Sequence, residues 1–343
     1  MDLLSFYGLF LAKIITIIIT LVIVSMILPN LTKRSNARAG KLILTRLDKY
    51  YLEIQNKINL EKLTPLEQKL WKKEYKKNEK KKQKESKQKN KIGHAASKKR
   101  PTLYILDFIG SMDAKEVSSL RQEISAIISV IETGDEVLLR LESPGGVVHG
   151  YGLAASQLQR LRQKDIPLTV SVDKIATSGG YMMACVANHI VAAPFALIGS
   201  IGVVAQIPNF HRLLKRKNID MELHTAGEYK RTLTLFGENS EEGREKFRDT
   251  LNQTHALFKQ FVHQMRPQIN IDMVSTGEHW YGSQALNKGL IDSVSTSDDF
   301  IIDKMSQYSI INLCYTQHRG ILERFSYNIY SNITQIIEKT LRG

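Results

Sequence analysis

The sequence predicts an α/β fold, repeated βαβ units with a largely parallel sheet, set behind a single N-terminal transmembrane helix. Three observations lead there. Short β-rich runs recur from Pro101 onward and alternate with stretches of helical spacing. Those runs are near-continuously apolar, as strands covered on both faces must be. Near the N-terminus the 22 residues from Tyr7 to Leu28 are almost entirely apolar, which matches the ~20 needed to cross a bilayer.

Taken in order, the chain opens with residues 1–30 as the expected anchor, in which Lys13 lies early enough to snorkel. A cleaved signal peptide is the rival reading, because Ala37 and Ala39 form an A-x-A. No positive segment precedes the apolar run, however, and the run is too long, so an uncleaved anchor is expected. Lys33, Arg34, Arg38 and Lys41 follow the span, and by the positive-inside rule they place the downstream chain in the cytoplasm.

Residues 31–100 are expected to form a basic, partly helical or disordered linker. Lys and Arg total 48 against 34 Asp and Glu, a net charge of +14, and much of the excess lies in 65–100. Only Trp71 and Tyr75 interrupt those lysines and no nucleic-acid motif follows, so no nucleic-acid partner is expected. Attraction to anionic lipid headgroups suits an anchored chain better.

Residues 101–295 are expected to be the core. Residues 102–108, 136–142, 168–172 and 189–193 read as strands; Asp113 to Ile131 and His149 to Arg162 have helical spacing. The stretch 181–206 is apolar, but Asn188, His189 and Pro194 break it, so it reads as buried core. Residues 241–266 look like a long charged helix. The remainder, 296–343, is expected to be a helical extension whose stripe Ile321, Phe325, Ile329, Ile333 and Ile337 packs on the core or on a neighbouring subunit.

Chemistry is expected at three glycine-containing turns that follow strands, where backbone N–H groups can face a reacting anion. They are Ser143-Pro144-Gly145-Gly146, Ala176-Thr177-Ser178-Gly179-Gly180 and Gly199-Ser200-Ile201-Gly202. Together they offer a backbone cradle and, in Ser178, a candidate nucleophile. A serine needs a base, and none of the nine histidines has a persuasive context. Neither G-x-S-x-G nor H-E-x-x-H occurs, and the S-x-x-K of Ser171 and Lys174 lacks companion motifs. Cys185 and Cys314 cannot build a disulfide framework, and no zinc-ligand spacing is present; no metal and no cofactor is expected.

Asp173 to Ala184 (D-x-x-A-T-S-G-G-Y-M-M-A), Ala192 to Val203 (A-x-P-x-x-x-I-G-S-I-G-V), Gly227 to Lys230 (G-E-Y-K) and Trp280 to Asp292 resemble the signal peptide peptidase A family. The similarity covers roughly residues 103–292. It implies a crotonase-like or ClpP-like fold, Ser178 as nucleophile and Lys230 as its general base. It also implies an oxyanion hole that includes Gly145, with Gly179 beside it, and Ser200 as the residue that orients the lysine. Such a lysine must be desolvated, because a free one titrates near ~10.4 and stays protonated at neutral pH. Asn188 and Arg231 depart from the family pattern, and neither removes a catalytic group.

The implied activity is a membrane-anchored endopeptidase acting on membrane-associated or misfolded polypeptides or residual signal peptides, with polypeptide, lipid bilayer and further copies of itself as partners. A non-catalytic, polypeptide-binding scaffold of the same fold is the alternative, and an acyl-CoA enzyme a third reading. The resemblance implies the bacterial inner membrane with the domain outside, whereas the charge rule favours the cytoplasm, so the side stays open.

Overall fold

The computed structural model describes residues 13, 14, 16, 17, 40–91 and 100–316 of the 343. Two compact units divide the chain, one of Met1–Lys41 with Thr316–Gly343 and the other of Leu42–Tyr315. Within the first, the Thr316 hydroxyl donates to the Lys41 carbonyl (3.2 Å). The expected anchor, but for four residues, and the stripe from Ile321 to Ile337 lie outside the described residues. Among the described residues no helix is long and apolar enough to cross a membrane.

The chain begins with β1 (Lys41–Arg46), α1 (Leu47–Glu61) and α2 (Pro65–Lys91). Then come β2 (Thr102–Ile109), α3 (Val117–Val130), β3 (Glu136–Glu142), α4 (Val148–Arg162), β4 (Leu168–Val172) and β5 (Ile175–Thr177). α5 (Gly179–Ala184), β6 (His189–Ala192), β7 (Leu197–Gly199), α6 (His211–Arg216), α7 (Glu241–Met265) and α8 (Ile271–Val274) follow. β8 (His279–Tyr281), α9 (Gly282–Asn287), β9 (Ser293–Val294), α10 (Ser297–Lys304) and β10 (Ser309–Thr316) complete it.

Seven strands form the main sheet in the order β1-β10-β2-β3-β4-β6-β9, and from β10 to β9 every neighbouring pair is parallel. A second, three-stranded sheet, β5-β7-β8, meets the main one at a parallel bridge between Ser143 and Ala176. The main strands are apolar along both faces because both are covered. Tyr104, Leu106 and Phe108 of β2 join the large core beneath α3, α4 and α5, while Leu103 and Ile105 on the other face meet Leu138, Ile301 and Ile310. Each such fully buried aliphatic side chain contributes roughly 1.5–3 kcal/mol.

Most elements fall where the sequence places them, with β3 and β4 bounded as predicted. The helix expected from Asp113 starts only at Val117, because Ala114 sits at φ +50 and cannot join a right-handed helix. Two of the expected boundaries move. The linker is not all linker: β1 is an edge of the main sheet, and Leu47 and Tyr51 of α1 pack on the second core. The C-terminal extension is not all helix either, since β10 lies between β1 and β2, paired with β2 from Ser309↔Thr102 to Leu313↔Leu106. Distant apolar segments complete one sheet, which local periodicity cannot reveal.

Arg266 ties the end of α7 to the β6 edge. It is buried and donates twice to Asp292 (2.8 Å each) and once to the Gly289 carbonyl (3.2 Å). Burial alone would raise the Asp292 carboxyl, but Arg266 and the Ile190 N–H (2.7 Å) hold it below its ordinary value. Glu123 of α3 is different: it is buried and accepts the Tyr315 N–H (2.7 Å), and burial pushes its carboxyl up to about 7. The folded state therefore favours the protonated acid. That contribution is complete below the unfolded value near 4.5 and is lost as pH rises through about 7. Glu123→Gln, which keeps the acceptor and cannot ionise, is expected to raise the unfolding midpoint at pH 8 and change it little at pH 4.5; denaturant melts at the two pH values check this.

Candidate active site

Ser178 sits where β5 turns into α5, with φ +52 and ψ −119, a conformation a non-glycine residue adopts only when its surroundings impose it. The surroundings are backbone. Its N–H donates to the Gly199 carbonyl (2.8 Å), the preceding Thr177 N–H donates to the Ser143 carbonyl (3.1 Å), and the Ser143 N–H donates to Ile175 (2.8 Å). β5 pairs in parallel with β7, so the three glycine turns converge on one place. Asp173, at the exit of β4, accepts from the Ser297 N–H (2.8 Å) and hydroxyl (2.6 Å) and so fixes the strand end to α10.

The glycines here are steric necessities. A Cβ at Gly179 would fall 2.4 Å from Cγ of Tyr151, and one at Gly180 2.5 Å from the Ser143 carbonyl. A Cβ at Gly145, which has φ +86, would sit 2.7 Å from the Gly179 nitrogen and 2.8 Å from Cβ of Ser178. The S-P-G-G turn thus lies directly against the Ser178 turn. The Gly145 N–H, expected to face the oxyanion, is instead donated to the Ser143 hydroxyl (3.1 Å). The amides of Gly146 and Gly179 have no hydrogen-bond partner among the described residues, and both residues line the cleft beside Ser178.

That cleft has a volume of about 80 Å³, and Val148, Met182, Val203, Val204 and Phe258 make its wall apolar. Sequence reasoning did not single out these positions, because α4, α5 and α7 meet there only in three dimensions. It also missed Tyr151. Its ring is fully buried, its hydroxyl is 2.6 Å from that of Ser143 and donates to the Ser111 carbonyl (2.9 Å). Burial pushes the phenol up against the lowering effect of the Ser143 hydrogen bond, so it stays protonated and able to donate.

Lys230 is not brought to Ser178. It is exposed, in the segment 203–239 whose one helix is the six-residue α6, and no hydrogen bond joins it to Ser178 or Ser200. Ser200 stands beside the Ser178 turn at φ +53, its N–H on the Glu278 carbonyl (2.6 Å). The segment that carries Lys230 has no sheet partners, and ten large apolar side chains from Val204 to Phe236 are exposed along it. Among the described residues no histidine hydrogen-bonds Ser178; His255 is engaged with the Ile201 carbonyl (3.2 Å). Lys174 is paired with Glu142 (3.0 Å) rather than with Ser171. Asn188 accepts the Leu168 N–H (2.9 Å), a structural bond at the entry to β4.

Two family models match the chain, peptidase family S49 N-terminal over residues 2–158 and peptidase family S49 over residues 160–310. Curated relatives share much of its length. A probable protease SohB of Buchnera aphidicola subsp. Schlechtendalia chinensis is 57% identical over 89% of this chain and 100% of its own. That of the Acyrthosiphon pisum subspecies is 54% identical over 99% and 98%. The Haemophilus influenzae protein of the same name is 49% identical over 98% and 96%.

Two glycine substitutions separate tight from open positions. Gly179→Ala must displace the buried Tyr151 ring and is expected to lower stability by about 1–3 kcal/mol. Gly152→Ala, in α4 with nothing within 4 Å, is expected to be neutral or to stabilise by up to about 1 kcal/mol. Paired denaturant melts measure both.

Proposed function

The chain belongs to peptidase family S49, and on that premise we propose that it is a membrane-anchored serine endopeptidase with Ser178 as nucleophile and Lys230 as general base. The observation that carries the proposal is the placing of Ser178 on a strained strand-to-helix turn, at an apolar cleft shared with Gly146 and Gly179, whose amides have no hydrogen-bond partner among the described residues.

In this reading Ser178 Oγ attacks the scissile carbonyl while its proton passes to the unprotonated Lys230 amine. The Gly179 N–H receives the developing oxyanion, an interaction worth about 3 kcal/mol per donor in a water-poor site. The second donor is Gly146 rather than Gly145, whose N–H is already bonded to Ser143. Lys230 then returns the proton to the leaving amine, and water hydrolyses the acyl-enzyme by the same relay. The apolar cleft suits an aliphatic side chain of an extended polypeptide, such as a residual signal peptide or a misfolded membrane-associated chain.

Lys230 has to travel to act, and association supplies a reason for it to do so. Ten large apolar side chains exposed along 203–239 suit contact with further copies of the chain, beside the expected stripe from Ile321 to Ile337. Contact would bury Lys230, orient it through Ser200 and favour its neutral form. The apolar run Tyr7–Leu28 supports anchoring in the bacterial inner membrane. The exposure of Lys230 favours one competitor, a polypeptide-binding scaffold of the same fold without turnover.

Ser178→Ala and Lys230→Ala are each expected to reduce peptide cleavage by at least about 10³-fold, with the double variant no worse, because dyad members act as one unit. Steady-state assays in detergent check this. Mixing the two single variants distinguishes a base supplied by a neighbouring copy, which restores part of the activity, from one supplied within the chain. Full turnover by Ser178→Ala would refute the reading; a wild-type chain that binds peptide without cleaving it would establish the scaffold.

A further inference from the structure

Tyr151 connects the two turns that hold the proposed oxyanion donors, and the direction of its hydrogen bonds can be worked out. The phenol has one hydrogen, and the Ser111 carbonyl, which can only accept, takes it at 2.9 Å. The Ser143 hydroxyl at 2.6 Å must then be the donor to the phenol oxygen. That leaves the Ser143 oxygen free to accept the Gly145 N–H at 3.1 Å. A one-way chain results, running from Gly145 through Ser143 and Tyr151 to Ser111, with every hydrogen used. Satisfied buried chains of this kind hold a single geometry, because any slip leaves a polar group without a partner.

The same ring acts by contact. It packs against Gly179, where a Cβ would meet Cγ at 2.4 Å, and its hydroxyl closes on Gly110, where a Cβ would meet the oxygen at 2.4 Å. Tyr151 therefore touches the nucleophile turn with its ring and the S-P-G-G turn with its oxygen. Displacing the phenol would change the spacing between the Gly146 and Gly179 amides.

We propose that Tyr151 is a positioning residue, whose hydroxyl, through Ser143, sets the spacing of the two amides that stabilise the tetrahedral intermediate. This role rests on the peptidase reading above. It predicts an effect on the transition state and none on ground-state binding, since Tyr151 and Ser143 are buried and meet no substrate.

Tyr151→Phe keeps the ring beneath Gly179 and removes the hydroxyl; Ser143→Ala breaks the same chain with Tyr151 intact. For the full chain in detergent, both are expected to lower kcat by about 10- to 100-fold with KM unchanged. Affinity for a peptidyl boronate, which mimics the tetrahedral intermediate, should fall by a similar factor. A merely structural role would move KM and the thermal midpoint without this split. Unaltered boronate affinity in both variants overturns the role of Tyr151, as does a loss shared equally by boronate and substrate. If Tyr151→Phe fails to fold, Ser143→Ala decides by the same readings. Wild-type chain that neither cleaves peptide nor reacts at Ser178 with a fluorophosphonate overturns the peptidase reading itself, a result distinct from wild-type activity with unaffected variants.

Discussion

The conformation forced on Ser178 is the constraint on which the rest of the site depends. A left-handed φ at a serine costs on the order of 1–3 kcal/mol, and the chain meets that cost by fixing the residues on either side. Thr177 is held to Ser143, Ser178 to Gly199, and the helix that follows is buried along its whole length. Each bond joins segments far apart in sequence. The parallel pairing of β5 with β7, and the bridge from Ser143 at the end of β3 to Ala176 of β5, bring them together, because parallel strands deliver their C-terminal ends, and the turns beyond them, to the same edge. Placing a hydroxyl at the tip of such a turn projects it into the cleft, and no relaxed helix or strand would do so.

The close approach of the three turns explains their composition. Gly145, Gly179 and Gly180 stand where a side chain would collide with backbone or with the Tyr151 ring, so the glycines are dictated by packing as much as by chemistry. Lys230, the proposed base, is not held in this way. Lys230 lies on a segment whose apolar side chains are exposed, which gives that segment a reason to find a surface to cover. Under the proposed function, nucleophile and cradle are preorganised in one chain and activity awaits the lysine. Dormancy of the separate chain would follow.

Much of the fold was legible because parallel strands covered on both faces are written as unbroken apolar runs, and β3 and β4 could be bounded to the residue. The glycine turns were legible for a similar reason, since S-P-G-G and T-S-G-G follow strand ends. What stayed hidden depends on contacts between distant segments. β10 and β1 complete the sheet from outside the expected core, Tyr151 is an ordinary helix residue until its hydroxyl is seen beside Ser143, and the N–H of Gly145 is bonded to the Ser143 hydroxyl. That Lys230 is exposed and makes no hydrogen bond to Ser178 is hidden for another reason: under the proposed function a motif names the groups and not the assembly in which they meet.

Activation of Ser178 as a nucleophile is the step on which the proposed chemistry turns. The most direct measurement is peptide mapping by mass spectrometry after the full-length chain, in detergent, has reacted with a fluorophosphonate, with Lys230→Ala treated in parallel. The account predicts one adduct, on Ser178, formed by the wild-type chain and strongly reduced in the lysine variant. An unmodified Ser178 in wild-type chain that is shown to be associated, or equal labelling with and without Lys230, would contradict it.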